Sequence, residues 1–371
     1  MVRLIGFVPV RVVCVAGARP NFMKVKPVVD ALEARGVDVE LVHTGQHFDA
    51  TMSDVFFEEL GLRQPDHHLE VGAGSQAETT ARVMVEFEKV IQNTSPDAVV
   101  VVGDVNSTVG CALVAAKSGA RLAHVEAGLR SRDWAMPEEI NRVVTDRVSD
   151  LLFASSADAA TNLISEGYRP DQIHLVGNVM IDTLLSNLDR AKARPWLHDQ
   201  GLTPHQYAVV TLHRPSNVDD AETLARLAGL LEWVGEKLPV IFPCHPRTRA
   251  RLKGRALASV ALVEPLGYLD FISSLASARL VLTDSGGVQE ETTVLGVPCL
   301  TLRESTERPI TVREGTNRVV GTDVEVIKAV VEEVLASPPP ARRPDLWDGK
   351  AADRIAEVLT AGISIGRPTD L

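Results

Sequence analysis

The chain has 371 residues, which is enough for two α/β domains with sizeable cores. Its 38 basic and 49 acidic residues give a net charge of -11, which argues against nucleic acid or an anionic membrane as the main partner. Aromatic residues make up only 4% of the chain and no basic tract is interleaved with them, so a base-stacking surface is not expected.

Short β-branched runs alternate with helix-length amphipathic segments along nearly the whole chain. This alternation is typical of parallel sheets covered by helices on both faces. The first series of predicted strands is Val12 to Ala16, Val39 to His43, Ala98 to Val102, Leu122 to Val125 and Leu151 to Ala154. The second series is Ala208 to Leu212, Val240 to Pro243, Ala261 to Val263, Leu280 to Thr283 and Pro298 to Leu302.

We therefore predict an α/β fold class with two Rossmann-like, doubly wound domains that face each other across a cleft. Residues 1–177 form the N-terminal domain and residues 178–347 the C-terminal domain, with a hinge region near Arg194 to Pro204. Residues 348–371 form a C-terminal helix and tail that pack back on the first domain. Ligands in such sheets bind beyond the carboxyl ends of the strands.

Polar side chains follow the predicted strands of the first domain. They occur in the segments Arg19 to Lys24, Gly45 to Asp49, Gly103 to Thr108, His124 to Arg130 and Met136 to Arg142. Three carboxylates, Asp104, Glu126 and Glu138, are thereby expected at one edge of the sheet. Asp104 could instead hold an Asx turn, Glu126 could be a paired structural acid, and Glu138 could complement a helix dipole.

In the second domain, the segment Thr283 to Glu291 joins a buried strand to a helix through Gly286 and Gly287. A helix start carries unpaired N–H groups and a positive dipole end, and glycine lets an oxyanion approach closely, so the segment predicts a phosphate site. Ser285 as an ordinary N-cap is the alternative. His213, beside an arginine at another strand end, is well placed for a diphosphate.

Four cysteines lie in apolar runs without C-x-x-C spacing: Cys14, Cys111, Cys244 and Cys299. They are typical of core thiols in a reducing compartment, so we expect a cytoplasmic protein. The N-terminal segment is interpreted as leading into a first strand and not as an export signal, because Arg11 interrupts the apolar run of this segment. The ten histidines form no ligand-like pair, so neither a metal nor another cofactor is expected.

Seven motifs occur in order along the chain: Gly17 to Pro20, Gly45 to Asp49, His124 to Arg130, Met136 to Arg142, Thr211 to Arg214, Thr283 to Glu291 and Thr306 to Pro309. Together they resemble the non-hydrolysing UDP-N-acetylglucosamine 2-epimerase family, and the resemblance runs from about Arg11 to Leu359. The resemblance implies a glycosyltransferase-B-type fold, a small-molecule nucleotide sugar as partner, and a homodimer. It also implies epimerisation at C2 by elimination of UDP to 2-acetamidoglucal and re-addition, because the C2 proton is not acidic enough for direct removal.

The resemblance implies a role for each candidate residue. The catalytic set is Asp104, Glu126, Glu138 and His213. The residues that bind the UDP-sugar are Arg19, Lys24, Phe271, Ser285, Gly286, Gly287, Glu291 and Arg308. The residues assigned to a second ligand site or to the cleft are Gln46, His47, Arg214 and His245. Asp49 departs from relatives that bind a second nucleotide sugar, since those carry glutamine there.

Other functions remain open at this point. A hydrolysing 2-epimerase would release free N-acetylmannosamine and UDP, and a related enzyme could act on a modified UDP-acetamido sugar. A glycosyltransferase of the same fold would need an acceptor and would not exchange the C2 proton, since fold does not fix function. A non-catalytic nucleotide-sugar sensor would bind without turnover.

Overall fold

The computed structural model describes residues 10–45, 59–252 and 257–363. The chain divides into two compact units. The first comprises Met1–Thr183 together with Leu346–Leu371, and the second comprises Leu184–Asp345. The first boundary between these units falls inside the helix Val179–Lys192, and the second falls before Leu346. The domain ranges expected from the sequence stay a prediction.

The first unit contains a seven-stranded parallel sheet with the order β3-β2-β1-β4-β5-β6-β7. Its strands are β1 Arg11–Ala16, β2 Asp38–His43, β3 His67–His68, β4 Ala98–Val102, β5 Arg121–Ala127, β6 Leu151–Ala154 and β7 Ile173–Leu175. The central strand β4 is buried at every position, as expected for a parallel strand with helices on both faces. Because all strands run the same way, their carboxyl ends share one edge of the sheet.

Helices alternate with these strands along the chain. They are α1 Arg19–Glu33, α2 Gln76–Thr94, α3 Asn106–Ser118, α4 Pro137–Val148, α5 Ala157–Ser165 and α6 Val179–Lys192, the last of which belongs to the second unit from Leu184 on. In α2, Val83 and Phe87 are fully buried in the core formed with Val99 and Val101 of β4. Ser75 starts that helix with a capping box, in which its hydroxyl accepts from the Glu78 N–H.

The second unit contains a six-stranded parallel sheet with the order β10-β9-β8-β11-β12-β13. Its strands are β8 Ala208–Thr211, β9 Val240–Pro243, β10 Val260–Val263, β11 Leu280–Thr283, β12 Cys299–Thr301 and β13 Asn317–Val319. The central strands β8 and β11 pair in register from Ala208 opposite Leu280 to Thr211 opposite Thr283. This pairing brings the residues that follow both strands to the same place.

The helices of the second unit are α7 Trp196–Asp199, α8 Pro215–Val218, α9 Ala221–Gly235, α10 Pro246–Leu252, α11 Tyr268–Ala276, α12 Gly286–Leu295, α13 Ile310–Arg313 and α14 Val324–Ala336. Leu227 and Leu231 of α9 are buried in the core against Val210 of β8. The stretch suggested as the hinge lies inside this unit, where Trp196 is buried.

The last helix, α15 Ala351–Ile363, packs against α1 within the first unit. The carboxylate of Asp182 accepts hydrogen bonds from the N–H groups of Ala351 and Ala352, which satisfies two donors at the start of α15. The buried indole of Trp347 donates to the Ser155 carbonyl over 2.8 Å. These bonds attach the C-terminal segment to the sheet of its unit.

Candidate functional site

The turn after β4 carries Asp104. Gly103 has a positive φ of +70° there, and a Cβ on it would lie 3.1 Å from Asn21 Nδ2 and 3.4 Å from Lys24 Nζ, so a side chain at this position would be both strained and crowded. Arg142 Nη1 donates to Asp104 Oδ2 over 2.5 Å, and Asn141 Nδ2 donates to the Asp104 carbonyl over 2.9 Å. Helix α4 thus holds both the backbone and the carboxylate of Asp104.

Glu126 lies near the end of β5 in an unusual backbone conformation. Its φ is +70°, and the pairing of β5 with β6 shifts register between Val125 and Ala127. Such a bulge re-aims a side chain, and a left-handed non-glycine residue stores strain of a kind that clusters at functional sites. The side chain is buried, Lys24 Nζ pairs with Oε2, and no described group bonds to Oε1. Glu126 is therefore held by one oxygen and can offer the other to a ligand.

The two acids in the first turn of α4 differ in environment. Glu139 is buried and accepts from the N–H groups of Ser131 and Arg132 and from Arg142. Burial alone would raise its pKa, but these donors together hold the pKa below the ordinary value. Glu138 is exposed, and it lines a cavity of about 250 Å³ together with Asp104. Glu139 is thus a structural acid, whereas Glu138 shares a cavity with another predicted site residue.

The residues Asp104, Glu126 and Glu138, with their cations Lys24 and Arg142, are called the carboxylate cluster below. Arg19, which was also predicted to bind the ligand, opens α1, and its side chain lies outside the described part. Gln46 and His47 lie outside the described residues altogether.

In the second unit, Asp284 joins the ends of β8 and β11. Its fully buried carboxylate accepts from the N–H groups of His213 and Arg214 and from Asn217 Nδ2, at 3.0 to 3.1 Å. His213 Nδ1 lies 3.0 Å from Asp284 Oδ1, while 60% of the His213 side chain is exposed. Burial would raise the pKa of Asp284, but these donors hold it below its ordinary value. Asp284 thereby fixes one nitrogen of the His213 ring and leaves the other side of the ring toward solvent.

The start of α12 has the features of an anion site. Ser285 occupies the N-cap position, and in the described structure its side chain makes no capping bond, so the ordinary N-cap interpretation is not supported. Gly286 begins the ten-residue helix, and Gly287 follows it. A Cβ at Gly286 would lie only 2.5 Å from Arg308 Nη1. Glycine therefore lets the Arg308 guanidinium lie close to the start of α12, and a cation beside a helix start favours a bound anion.

Arg308 belongs to a buried network of charges. Its Nε lies 2.8 Å from Glu290 Oε1 and its Nη1 lies 2.9 Å from Glu307 Oε1. Two more guanidinium groups, Arg214 at 3.2 Å and Arg303 at 2.8 Å, also pair with Glu307. Burial raises the pKa of Glu307, but the Arg308 and Arg303 charges outweigh it and hold the pKa far below its ordinary range. Three fixed cations therefore surround two carboxylates.

Glu291 adds little negative charge to this network at neutral pH. It is buried on α12, and burial together with the neighbouring Glu290 raises its pKa to about 8. The protonated acid can both donate and accept a hydrogen bond, which suits a hydroxyl-bearing ligand. We call His213, Arg214, Asp284 to Gly287, Arg303, Glu307 and Arg308 the anion cluster.

Of the four residues predicted for a second site, the structure describes Arg214 and His245. Arg214 is part of the anion cluster, where its Nε donates to the Asp284 carbonyl over 3.1 Å. His245 is exposed directly before α10, and Phe271 is half-buried on α11. The sequence interpretation missed Asp284 and Arg303 as members of the cluster. The aspartate directly before the Ser-Gly-Gly segment was the available signal for the first, but no local pattern marked the second.

In the described ranges, no group of three or more His, Cys, Asp or Glu side chains is arranged to hold a metal ion. None of the helices in the part of the chain that the structure describes is both long and apolar enough to cross a membrane.

Comparisons with known proteins agree with this architecture. A sequence profile described as UDP-N-acetylglucosamine 2-epimerase matches residues 30–360. The UDP-N-acetylglucosamine 2-epimerase of Methanocaldococcus jannaschii is 41% identical over 363 residues, covering 94% of this chain and 98% of that protein. The UDP-2,3-diacetamido-2,3-dideoxy-D-glucuronate 2-epimerase of Pseudomonas aeruginosa is also 41% identical, over 94% of this chain and 99% of that protein.

Solved structures give the same result. The Methanocaldococcus jannaschii enzyme in complex with UDP-GlcNAc and UDP matches with a TM-score of 0.87, 41% identity and coverage of 95% of this chain and 100% of that chain. A glycotransferase of kitacinnamycin, 13% identical with a TM-score of 0.64, shares the fold alone. The α/β fold class of glycosyltransferase-B type is thus confirmed. On this profile match and these identities, the chain belongs to the UDP-N-acetylglucosamine 2-epimerase family.

Proposed function

We propose that this protein catalyses the reversible, non-hydrolysing epimerisation of UDP-N-acetylglucosamine to UDP-N-acetylmannosamine. The observation that carries the proposal is Glu126, a buried and strained carboxylate with one oxygen paired to Lys24 and the other without a described partner. A nucleotide-sugar binding protein without C2 chemistry has no need of such a group. Family membership and the relatives named above support the same conclusion.

The reaction needs both clusters. In the forward elimination, the C2–H and C1–O bonds break, C1=C2 forms, a base takes the C2 proton and UDP leaves as an anion. Re-addition reverses these changes, with the proton delivered to the opposite face of C2. The first step requires donors and cations for the diphosphate, and the pair of proton transfers requires at least two acid/base groups.

We assign the proton transfers to Asp104, Glu126 and Glu138. Glu126 fits a direct role best, because its Oε1 makes no bond to any described group. Arg142 pairs with the Asp104 carboxylate, and Glu138 lines the same cavity as Asp104. Lys24 orients Glu126 and balances its charge.

We assign the diphosphate to the anion cluster, with His213, the start of α12 at Ser285 to Gly287, and Arg308 as the main donors. The exposed side of the His213 ring and the uncapped helix start support this role. Arg19 adds a further cation. Glu291 holds the ribose, and Phe271 frames the uracil.

The setting of the enzyme follows from the same assignment. The protein works on a nucleotide sugar without a cofactor, as a homodimer, and in the cytoplasm. Four free and buried cysteines support a reducing compartment. The net charge of -11 disfavours nucleic acid as a partner.

A second candidate substrate is a UDP-diacetamido uronate. The Pseudomonas aeruginosa relative, named for a UDP-diacetamido uronate, is as similar in identity as the archaeal UDP-N-acetylglucosamine epimerase, at 41% in both cases. A uronate carries an additional carboxylate on its sugar ring, which would need its own cation. The same elimination chemistry applies to both substrates.

Proton NMR in deuterated water tests the proposal. With UDP-N-acetylglucosamine, we expect deuterium at C2 of both epimers, with UDP still attached. Release of free N-acetylmannosamine would indicate the hydrolysing reaction instead. Exchange with the diacetamido uronate alone would identify the second substrate, and full retention of C2 protium during turnover would exclude elimination.

A further inference from the structure

A buried histidine outside both clusters connects β5, which carries Glu126, to the turn that carries Asp104. His124 is fully buried on β5, and its Nε2 lies 2.9 Å from the Gly103 carbonyl. A carbonyl oxygen can only accept, so Nε2 must carry a proton. The contact with the Gly103 carbonyl therefore places one ring proton on Nε2.

The other ring nitrogen faces a carboxylate. His124 Nδ1 lies 2.6 Å from Asp146 Oδ1, and Asp146 is itself fully buried. Arg130 Nη1 lies 2.7 Å from Asp146 Oδ2, and the Gly128 N–H donates to the same oxygen. An ionised carboxylate, like a carbonyl, can only accept. Each ring nitrogen of His124 therefore faces an oxygen that can accept a hydrogen bond.

Basic and acidic side chains alternate around this ring. Arg130 also pairs with Glu166 over 2.6 Å, so the basic groups His124 and Arg130 alternate with the acidic groups Asp146 and Glu166. A buried cation with a bonded counter-ion of this kind avoids the large cost of an isolated buried charge. The alternating basic and acidic groups thus hold the His124 ring in place.

The bond from His124 holds the turn that carries Asp104. The Gly103 N–H donates to the Val125 carbonyl over 3.1 Å, and the Gly103 carbonyl accepts from His124. Strand β5 therefore binds both backbone groups of Gly103. Asp104 is the next residue along the turn. Glu126 is two residues beyond His124 on β5. The ring therefore sets the position of one carboxylate relative to the other.

We propose that His124 is a positioning residue of the epimerase reaction: as an imidazolium bonded to Asp146, it fixes the Gly103 carbonyl and thereby the separation of Asp104 and Glu126. The groups that face it are Asp146 from α4 and the Gly103 carbonyl. This inference rests on the proposed function for its catalytic part, whereas the charge of the ring can be tested independently.

The first test measures the ring protons in the wild-type protein. In a protein labelled with ¹⁵N-histidine, we expect one buried ring to show both an Nδ1–H and an Nε2–H correlation at neutral pH. Replacing His124 by asparagine should remove this pair of signals. A His124 ring with a single N–H would overturn the proposal even if no variant folds.

The second test compares two histidine variants by C2 exchange in deuterated water. His174 is partly buried on β7, two strands away from β5 in the sheet, and serves as the matched control. For His124→Asn we expect kcat to fall about 10²-fold, the scale of a misplacement near 1 Å, with unchanged KM and UDP affinity. His174→Asn should keep wild-type kcat, whatever its thermal stability.

Wild-type kcat in a folded His124→Asn variant, or a loss that His174→Asn shares, would overturn the positioning role. If the wild-type protein itself does not exchange the C2 proton, the proposed function fails. The ring-proton spectrum would then still decide whether His124 is an imidazolium.

Discussion

The carboxylate cluster of the first unit and the anion cluster of the second unit lie in the same position of similar sheets, beyond the carboxyl ends of parallel strands. They differ in how fully their charged groups are paired. In the anion cluster, a single carboxylate, that of Glu307, pairs with three guanidinium groups. In the carboxylate cluster, Glu126 has one partner for two oxygens and a strained backbone.

This difference in pairing fits the different tasks of the two clusters, which are to bind a diphosphate and to transfer a proton. A site for a diphosphate works best when its donors are fixed before the ligand arrives, because no reorganisation is then needed as charge develops. A group that takes and returns a proton must keep part of its bonding capacity free. The two clusters should therefore respond differently to substitution, and the following experiments test that contrast.

The largest effect is expected for Glu126→Gln. This change keeps the size of the side chain but removes its charge and its ability to accept a proton. We expect C2 exchange to fall by ~10² or more, the scale of general acid/base catalysis, with nearly unchanged UDP affinity. Asp104→Asn and Glu138→Gln should act in the same direction. Exchange rates beside calorimetric UDP affinities check this.

Glu88→Gln is the control, since Glu88 is an exposed carboxylate on α2. It should leave both the exchange rate and the UDP affinity unchanged. Near-native exchange in all three variants of the carboxylate cluster would contradict the assignment, and a parallel loss of UDP affinity would erase the contrast between the clusters.

The next effect is expected for His213→Ala in the anion cluster. Removal of a charge-assisted bond to phosphate should weaken UDP binding by roughly 1.5 to 3 kcal/mol and should lower the rate as well. His198→Ala is a matched control because 93% of the His198 side chain is exposed. Calorimetry would count against the diphosphate role of His213 if both variants bound UDP equally well.

The strands could be predicted from the sequence because buried parallel strands are continuous apolar runs. The run Ala98–Val102 was predicted with its observed bounds. Three strands were missed: β3, β7 and β13. Each has only two or three residues and lies at an edge of its sheet, where one side has no neighbouring strand to enforce a pattern.

The site could be predicted only in part, because some of its features depend on contacts between distant residues. The Ser-Gly-Gly segment has a local signature, and its helix start was predicted correctly. The left-handed backbone of Glu126 and the pairing of Arg303 with Glu307 have no such signature. The difference between Glu138 and Glu139 depends on helix orientation, since adjacent residues point in different directions from α4.

A pH-dependent effect is expected from Glu291. The pKa of Glu291 is about 8 in the folded protein and near 4.5 in an unfolded chain. Between these two pH values, the folded state keeps a proton on Glu291 that the unfolded state has released. The free energy of unfolding should therefore decrease as pH rises through this window, by up to about 1.4 kcal/mol per pH unit. Urea unfolding at several pH values should show a flatter profile for Glu291→Gln, and an unchanged profile would contradict the raised pKa.

The smallest effects are expected from two glycine substitutions that separate crowding from helix propensity. Both residues lie in helices of the second unit, Gly286 at the start of α12 and Gly229 within α9. A Cβ at Gly229 has no described atom of its surroundings within 4 Å, so Gly229→Ala should stabilise the protein by up to about 1 kcal/mol, as expected for alanine in a helix.

Gly286→Ala should act in the opposite direction. Its Cβ would meet Arg308 Nη1 at 2.5 Å, and two carboxylates, Glu290 and Glu307, restrain that guanidinium. Arg308 can make room only by weakening one of these pairs, so we expect a loss of about 1 kcal/mol in stability and weaker UDP binding, in keeping with overpacking. Thermal unfolding and calorimetry on both variants provide the measurement. If Gly286→Ala were as stable as Gly229→Ala and bound UDP normally, Arg308 would be more mobile than its contacts indicate, and the anion cluster would not be fixed before the ligand binds.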